Sequence, residues 1–473
     1  MCTPGSTAGL CGPLLLRTRR DATVDTVRVV RRQTARDLVR TRRRTIRMLD
    51  PEIAGRITAA VNERFDDQLA WTAELVRRPS LRTQEADAQD LIEGTLREAG
   101  LEIDRWVIDS PELREHKGYG PTTVDPATLE NVVGTYTPVA ERGRSLILNG
   151  HVDVVPTGPD QYWSRSPWDA SIVDGWMYGR GSADMKAGIG ANVFALGALT
   201  AAGLRPTGRI HVQSVVEEEC TGNGSLAALL RGYTADACVI PEPEDDKLVR
   251  ANVGVLWFDV TVRGVPTHLR VMGSGQNAID AAYSVMNDLR ALEAEWNRRR
   301  GEHRYFDDIE HPINFNFGVI NGGDWPSSVP AQCTFTVRAA LYPGTSAADA
   351  WAEIEGTLAK SAAAIDLPNA VVATPSGFFA EGYVLEEGSD AEVVLARSHE
   401  RVFGGKLESF TTPGYLDGRV FTLYGGMPCL VYGPVSEAIH GFDERVEVES
   451  IRRITTTIAL FVAEWCGVEP IAD

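Results

Sequence analysis

The chain has 473 residues, more than one hydrophobic core usually supports, so at least two domains are expected. Its composition, 43% hydrophobic and 24% charged, is that of an ordinary globular protein, and its net charge of −18 argues against nucleic-acid binding. No apolar run approaches the roughly 18 residues of a membrane helix, so no membrane partner is expected.

The first 47 residues differ from the rest of the chain. They contain twelve Arg and three Asp, a net charge of +9, which leaves −27 for the remainder. This Arg-rich head resembles a transit peptide, or could bind an anionic surface. A third interpretation, which we favour, is that the head is not native and translation starts at Met48, because the domain-like pattern begins only at Asp50-Pro51. No fold is predicted for residues 1–47.

Residues 48–253 are predicted to form the first part of an α/β catalytic domain, because helices and strands alternate along them. Helical spacing of apolar residues predicts helices over 53–77, 84–99, 186–202 and 224–231. Strands are predicted over 101–108, 129–136, 145–148, 209–216 and 237–240. Gly100 is expected to end the second helix. The alternation predicts a mostly parallel sheet covered by helices.

Residues 254–367 follow a different order, strand, helix, strand, strand, helix, strand. The predicted elements are a strand in VLWFDVTVRG, a helix over 277–297, strands over 312–320 and 332–341, a helix over 346–363 and a strand over 369–374. A βαββαβ order of this kind is a complete small α+β unit and predicts an inserted domain. Residues 368–473 resume the first pattern, with helices over 388–402 and 447–464 around a strand in PCLVYG (428–433).

Acidic and imidazole side chains follow several predicted strands at the point where each strand ends. They are His151 and Asp153 after 145–148, Glu217 to Glu219 after 209–216, Glu242 after 237–240, and His440 after PCLVYG; Asp184 follows the turn Gly179-Arg180-Gly181. Since the carboxyl ends of parallel strands share one edge, these groups are expected to converge there. Clustered carboxylates repel unless a cation neutralises them, and two histidines with several carboxylates suit Zn²⁺, or Co²⁺ or Mn²⁺.

Each of these signals also has an ordinary structural explanation. An H-x-D pair is usually a surface or satisfied core pair, and three successive Glu usually begin a solvated helix. Asp184 could merely cap the following helix, and His440 could be a surface histidine. The joint placement at strand ends, with glycine turns beside them, favours a metal site.

Five segments in chain order, GHVDVVP, GRGSADMKAG, VVEEECTGNGS, PEP and IHGFDERV, resemble the co-catalytic zinc peptidase family. That family contains acetylornithine deacetylase, succinyl-diaminopimelate desuccinylase, aminoacylase and glutamate carboxypeptidase. The resemblance covers roughly residues 70–467 at the family's spacing. It implies a catalytic domain carrying an inserted dimerisation, or lid, domain, and two Zn²⁺ per subunit, for which Co²⁺ or Mn²⁺ could substitute.

The resemblance also implies the roles of the metal-site residues. His151 and Glu242 would hold one ion, Glu219 and His440 would hold the other, and Asp184 would bridge both.

Three further residues take roles from the resemblance. Asp153 would accept a hydrogen bond from the far nitrogen of His151 and fix its tautomer. Glu218 would be the general base, taking a proton from a metal-bridging water and passing it to the leaving amine. The segment GVPTHLRVMGSGQNAI matches the one by which the partner subunit supplies a histidine to the developing oxyanion, which puts His268 in that role.

Substrate recognition is implied less completely. Arg338 in VRAALYPG matches the family's carboxylate-binding arginine, and GYLDGR matches its Gly-rich loop through Gly414, Asp417 and Arg419. Two segments depart from the family pattern: Ser327-Ser328 replaces an Asn before Val-Pro, and Pro413-Gly414-Tyr415 replaces a common Gly-Gly-Thr. Both segments belong to the acyl or carboxylate end of the substrate site.

The expected function is a metal-dependent amidohydrolase that removes an acyl group from a small N-acyl amino acid or related amine. Acetylornithine deacetylase fits best, because VVEEECTGNG looks most like deacetylases of that type. A desuccinylase, a dipeptidase or carboxypeptidase, or an N-formyl-aminopyrimidine deformylase are alternatives of the same fold. A non-hydrolytic binding protein is the alternative of another class, and the intact Glu218 argues against it.

The seven scattered cysteines predict reduced thiols in a cytoplasmic protein. A homodimer through the inserted domain is also expected.

Overall fold

The computed structural model describes residues 48–365, 367 and 370–471, so the predictions for residues 1–47 lie outside the described residues. The α-helices of the described chain are α1 (Pro51–Glu63), α2 (Phe65–Val76), α3 (Ala86–Glu98), α4 (Pro111–Glu115), α5 (Ala187–Ala201), α6 (Asn223–Leu230), α7 (Ala278–Arg298), α8 (Ala347–Ala364), α9 (Asp390–Phe403) and α10 (Val448–Trp465).

The strands, again within the described chain, complete the element order. They are β1 (Glu102–Val107), β2 (Glu130–Tyr136), β3 (Leu146–His151), β4 (Ile172–Val173), β5 (Trp176–Tyr178), β6 (Leu204–Pro206), β7 (Ile210–Val215), β8 (Cys238–Ile240), β9 (Leu248–Asn252), β10 (Gly254–Arg263), β11 (Phe315–Gly322), β12 (Gln332–Leu341), β13 (Val371–Ala380), β14 (Tyr383–Val384), β15 (Ser409–Thr412), β16 (Cys429–Val431), β17 (Ser436–Glu437), β18 (Arg445–Glu447) and β19 (Val468–Pro470).

A six-stranded sheet in the order β1-β2-β7-β3-β8-β16 forms the centre of the larger hydrophobic core. The pairings of β7 with β3, β3 with β8, and β8 with β16 are parallel, whereas β1 with β2 and β2 with β7 are antiparallel. The prediction of a mostly parallel sheet covered by helices is therefore confirmed. Every residue of β3, β7 and β8 is buried, as expected for strands covered on both faces.

A second sheet, in the order β11-β12-β10-β13, is antiparallel throughout and has its own hydrophobic core with α7 and α8. Its elements follow one another in the predicted βαββαβ order. The additional antiparallel unit is confirmed, whereas the boundaries at residues 254 and 367 stay a prediction.

Several elements differ from the sequence-based expectation. The helix expected over 53–77 is two helices, because Arg64 departs from helical geometry with φ −105° and ψ 7°. Strand β3 extends to His151 instead of ending at residue 148. Three small sheets were missed: β14-β9-β15, β17-β18-β5-β4 and β19-β6. Their strands have two to five residues, too few for a periodic pattern, and several of their pairing partners are remote in sequence.

No helix in the described part of the chain is long and apolar enough to cross a membrane.

Candidate metal centre and active-site cavity

The strand ends of the six-stranded sheet bring the predicted metal-site residues together. Strand β3 ends on His151, which is 1% exposed, and its parallel neighbours β7 and β8 end two residues before Glu217 and Glu242. Because these parallel strands are in register, their carboxyl ends meet at one edge of the sheet. Asp184 reaches the same edge from the turn that precedes α5.

Asp184 lies between two histidines. Its Oδ1 is 3.0 Å from Nε2 of His151, and its Oδ2 is 3.3 Å from Nε2 of His440. Glu219 Oε1 is 3.1 Å from the same nitrogen of His440, and Glu242 Oε2 is 3.7 Å from Nε2 of His151. The side chains therefore form two groups of three that share the carboxylate of Asp184. One group adds His151 and Glu242, and the other adds Glu219 and His440, which is the grouping that the resemblance implied.

The donor set fits a divalent metal. One ligand atom from each of His151, Asp184 and Glu219 lies within 4.8 Å of the others. Oε1 of Glu242 is buried and has no hydrogen-bond partner among the described residues, an arrangement that costs free energy unless a cation or donor satisfies it. Imidazole and carboxylate together are the ligands that zinc and its first-row neighbours accept.

Burial and mutual repulsion perturb the ionisable groups of this cluster. Burial raises the pKa of Glu242, and burial raises the pKa of Asp153 to about 7. Attraction to Glu219 raises the pKa of His440 to about 11. Burial alone would lower the pKa of His151, but the attraction of Glu242 and a hydrogen bond with Asp184 bring it well above its ordinary value. The metal-free cluster therefore holds protons that a cation would displace.

The contact of Asp153 with His151 differs from the expected one. Its backbone carbonyl, not its carboxylate, lies at hydrogen-bond distance from Nδ1 of His151, at 2.8 Å against 3.7 Å for Oδ1. The carboxylate instead accepts hydrogen bonds from the backbone N–H groups of Glu218 and Glu219, at 3.3 and 3.2 Å. Asp153 thus fixes the orientation of His151 through its backbone and the loop after β7 through its side chain.

Arg82 supports the site through Glu217, and the sequence analysis missed this arginine. The Arg82 guanidinium donates to both carboxylate oxygens of the fully buried Glu217, at 2.5 and 2.8 Å. Thr221 Oγ1 donates to the same carboxylate at 3.0 Å. The three consecutive Glu residues were the available signal, but nothing in the sequence pointed to an arginine 135 positions earlier.

A cavity of about 700 Å³ opens at this metal-site edge and is also lined by residues of the second sheet. Glu218 lines it and is 6% exposed, and burial raises the pKa of its carboxyl well above the ordinary value. Arg338 and Gly414 line it too, and Arg338 Nη2 donates to the carbonyl of Pro413 at 3.2 Å. Among the described residues, no carboxylate lies within salt-bridge distance of Arg338, so an anionic partner for it must come from outside these residues.

Besides His151 and Asp153, three residues predicted for the site do not line the cavity: Asp417, Arg419 and His268. Asp417 and Arg419 are 1% and 0% exposed. Asp417 Oδ1 accepts a hydrogen bond from the hydroxyl of Tyr415, and Arg419 Nε donates one to the same hydroxyl. His268 is exposed, and its Nδ1 accepts a hydrogen bond from the backbone N–H of Arg270. The direct substrate contacts expected for Asp417 and Arg419 are therefore replaced by support of Tyr415.

The fold and the site define a class, the metal-dependent hydrolases that act on amide bonds. The chain belongs to the peptidase family M20/M25/M40, whose family model matches residues 147–464, more than half of the chain.

Sequence relatives agree with this membership, and solved structures share the fold. The chain is 27% identical over 434 residues to the N-formyl-4-amino-5-aminomethyl-2-methylpyrimidine deformylase of Halalkalibacterium halodurans, covering 87% of this chain and 97% of the relative. It is 29% identical over 397 residues to a succinyl-diaminopimelate desuccinylase of Cereibacter sphaeroides, covering 81% and 95%. The fold matches the dipeptidase Dug1p of Saccharomyces cerevisiae (TM-score 0.70, 13% identity, 87% and 98% covered). It also matches human carnosine dipeptidase 1 (TM-score 0.68, 15% identity, 87% and 99% covered).

Proposed function

We propose that this chain removes an acyl group from a small N-acyl amino acid or related amine, with two divalent metal ions and Glu218 as general base. The observation that carries the proposal is the placement of His151 and His440 on the two oxygens of Asp184, beside a cavity that Glu218 lines. A protein that only binds its ligand has no need of a buried base at this point.

His151, Glu242 and Asp184 would hold one ion, and Asp184, Glu219 and His440 the other. Zinc is the proposed metal, with Co²⁺ or Mn²⁺ as substitutes, because two histidines accompany the carboxylates. When bound, such ions polarise a scissile carbonyl and lower the pKa of water.

Glu218 would move the proton that amide hydrolysis requires. One oxygen of its carboxylate takes a proton from the attacking water and then donates it to the nitrogen of the leaving amine. A general base in this role contributes about 10² to 10⁴ in rate. Burial raises the pKa of the Glu218 carboxyl, and a higher pKa makes its carboxylate a stronger proton acceptor.

The proposed homodimer would complete the site. His268 lies outside the cavity of its own chain, so we propose that it stabilises the developing oxyanion in the partner's cavity. The outer strand β11 of the second sheet exposes Val319 and Ile320 by 53% and 49%, and Trp325 just after it by 66%. An edge strand with such side chains is suited to pair with a second copy of the chain.

The substrate is proposed by class. Acetylornithine-like amides fit the deacetylase resemblance, with Arg338 binding a substrate carboxylate. Deformylation of an N-formyl aminopyrimidine is the second candidate, favoured by the similarity to the Halalkalibacterium halodurans relative. Desuccinylation and dipeptide hydrolysis remain further candidates of the same chemistry.

A cytoplasmic location is supported by the five described cysteines, all of which are free.

Metal removal and a substrate screen test the proposal together. The protein is treated with a chelator, reloaded with Zn²⁺ or Co²⁺, and assayed on N-acetyl, N-succinyl and N-formyl amines. We expect chelation to abolish hydrolysis and either metal to restore it. Hydrolysis that is indifferent to chelation would defeat the metal assignment, and no hydrolysis of any amide by the reloaded protein would defeat the activity.

A further inference from the structure

One wall of the active-site cavity is aromatic. It consists of Trp257 from β10, Phe378 from β13 and Tyr415 from the loop after β15. The ring centroids of Trp257 and Phe378 are 5.1 Å apart with planes at 90°, and those of Phe378 and Tyr415 are 4.2 Å apart at 42°. Such edge-to-face and tilted contacts make the three rings one continuous surface.

Two of these rings are held in place by their surroundings. The hydroxyl of Tyr415 donates to Asp417 Oδ1 at 2.8 Å and accepts from Arg419 Nε at 3.0 Å. Trp257 lies so close to Gly377 that an added Cβ there would be 2.7 Å from Cε3 of the indole. A surface that is already ordered loses little conformational entropy when a ligand packs on it. The wall is therefore preorganised for recognition.

The wall lies in the same cavity as the proposed base and metal ligands, because Glu218, Glu219 and Glu242 line that cavity too. Tyr415 also stands where the family resemblance has a Gly-Gly-Thr loop. A large ring in place of a small residue changes the shape of the substrate site of this chain in particular.

We propose that the aromatic wall is a subsite for a planar, aromatic or heteroaromatic ring carried by the N-acylated substrate. The inference rests on the proposed function, since it places this ring in the cavity that Glu218 lines. A ring presents a flat face to Trp257 and Tyr415, whereas a flexible aliphatic amine chain cannot match that surface. Among the candidate substrates of the proposed function, the wall therefore favours ring-bearing amides, such as the N-formyl aminopyrimidine, over acetylornithine-like ones.

Binding to a non-hydrolysing variant tests this specificity separately from catalysis. Calorimetry on metal-loaded E218Q compares N-acyl-phenylalanine with N-acyl-cyclohexylalanine, which has the same carbon skeleton but a puckered ring. Formyl, acetyl and succinyl forms are used, and N-acetylornithine is included. We expect the planar ring to bind about tenfold more tightly than the saturated one, the ratio that contacts with two rings supply.

Second-site variants identify the wall as the source of the preference. In the E218Q background, Trp257→Leu and Tyr415→Leu should each reduce the planar-ring preference at least about threefold, because each removes one ring. Tyr415→Phe should keep most of the preference, since it keeps the ring and removes only the hydroxyl contacts that orient it. Trp106→Leu is the matched control, because Trp106 lies on β1 and does not line the cavity.

The outcomes separate this inference from the proposed function. Equal binding of the two rings, tighter binding of N-acetylornithine, or a preference that survives both leucine variants would overturn the aromatic subsite. Failure of the wild-type, metal-loaded protein to hydrolyse any amide overturns the proposed function alone, since the binding ratio still decides the subsite. Absence of binding by all compounds overturns the subsite.

Discussion

Glu217 and His440 have positive φ angles of 67° and 61°, in the left-handed region that favours glycine. For residues with a side chain, such conformations cost about 1 to 3 kcal/mol and persist only where surrounding contacts hold them. Arg82 and Thr221 hold the side chain of Glu217, and the backbone N–H of Gly222 donates to its carbonyl at 2.7 Å. The strained turn directs the next two residues, Glu218 and Glu219, towards the cavity.

At the residue scale, Glu218→Gln separates proton transfer from metal binding. The amide is nearly the same size as the carboxylate but cannot accept the proton of water. We expect hydrolysis to fall about 10²- to 10⁴-fold while the metal content, measured by mass spectrometry, is unchanged. The matched control is Glu219→Gln, one residue further along, which removes charge from a proposed ligand and should lower the metal content itself. Undiminished hydrolysis in Glu218→Gln would mean that another group is the base.

At the scale of elements, the contact between α5 and the loop after β8 determines where Glu242 sits. Gly188, in the first turn of α5, lies so close to this loop that an added Cβ would be 2.2 Å from the carbonyl oxygen of Pro241. The helix can approach the strand end only because this position has no side chain.

Gly188→Ala should therefore destabilise the fold and disturb the metal site. Because the obstructing atom belongs to the backbone, we expect a loss of about 1 to 3 kcal/mol in unfolding free energy, together with a lower metal content. Gly55→Ala is the control: Gly55 is an exposed residue of α1 with nothing within 4 Å of an added Cβ. That change should be neutral or stabilise by up to about 1 kcal/mol, as alanine favours helices. Equal thermal unfolding of the two variants would contradict the close-packing argument.

Strand β7 carries a histidine with a pH-dependent effect on stability. His211 is 7% exposed, its Nδ1 is 2.9 Å from the hydroxyl of Thr135, and burial lowers its pKa to about 4, with a smaller effect from Arg209. Between about pH 6.5 and 4 the unfolded chain therefore binds a proton that the folded chain does not. The contribution of His211 to stability falls as the pH drops through this window.

His211→Gln should remove this dependence. The free energy of unfolding of both proteins is measured by urea titration at each pH. Between pH 7 and pH 5 we expect the value of the wild type, relative to that of the variant, to fall by about 1 to 3 kcal/mol. Comparing the two proteins at each pH cancels the buried carboxyls, whose raised pKa values act in the opposite direction. Between pH 7.5 and 8.5 the difference should be constant, because neither state binds the proton. A difference that is constant down to pH 5 would show that His211 does not titrate differently on folding.

At the scale of the whole molecule, we propose that a second subunit completes the active site. His268 lies in the segment between β10 and α7, outside the cavity of its own chain. The outer strand β11 belongs to the same four-stranded sheet as β10. We propose that a dimer forms along that strand and that His268 of each copy acts at the cavity of the other.

Mixed dimers test this arrangement. His268→Ala and Glu218→Ala should each be nearly inactive. For His268→Ala we expect the rate of hydrolysis to fall about 10²- to 10³-fold, because the variant loses an oxyanion donor. The two variants are mixed under native conditions so that subunits exchange, or they are co-expressed. About half of the dimers are then mixed, and each mixed dimer has one intact site of two, so the mixture should regain up to about one quarter of wild-type hydrolysis. The control is a mixture of Glu218→Ala with Glu218→Gln, which can form no intact site. If hydrolysis stays at the level of the separate variants although mixed dimers form, His268 does not act across subunits.

The sequence alone determined the βαββαβ unit, the parallel strands β3, β7 and β8, and the candidate ligands at their ends. These follow from local rules: periodicity assigns the strands, and parallel strands must present their carboxyl ends at one edge. Tertiary structure alone decided which side chains reach the cavity. Arg82 meets Glu217, and Trp257 meets Phe378 across strands, because such contacts depend on packing between remote segments. Asp417 and Arg419 hydrogen-bond the hydroxyl of Tyr415 and do not line the cavity.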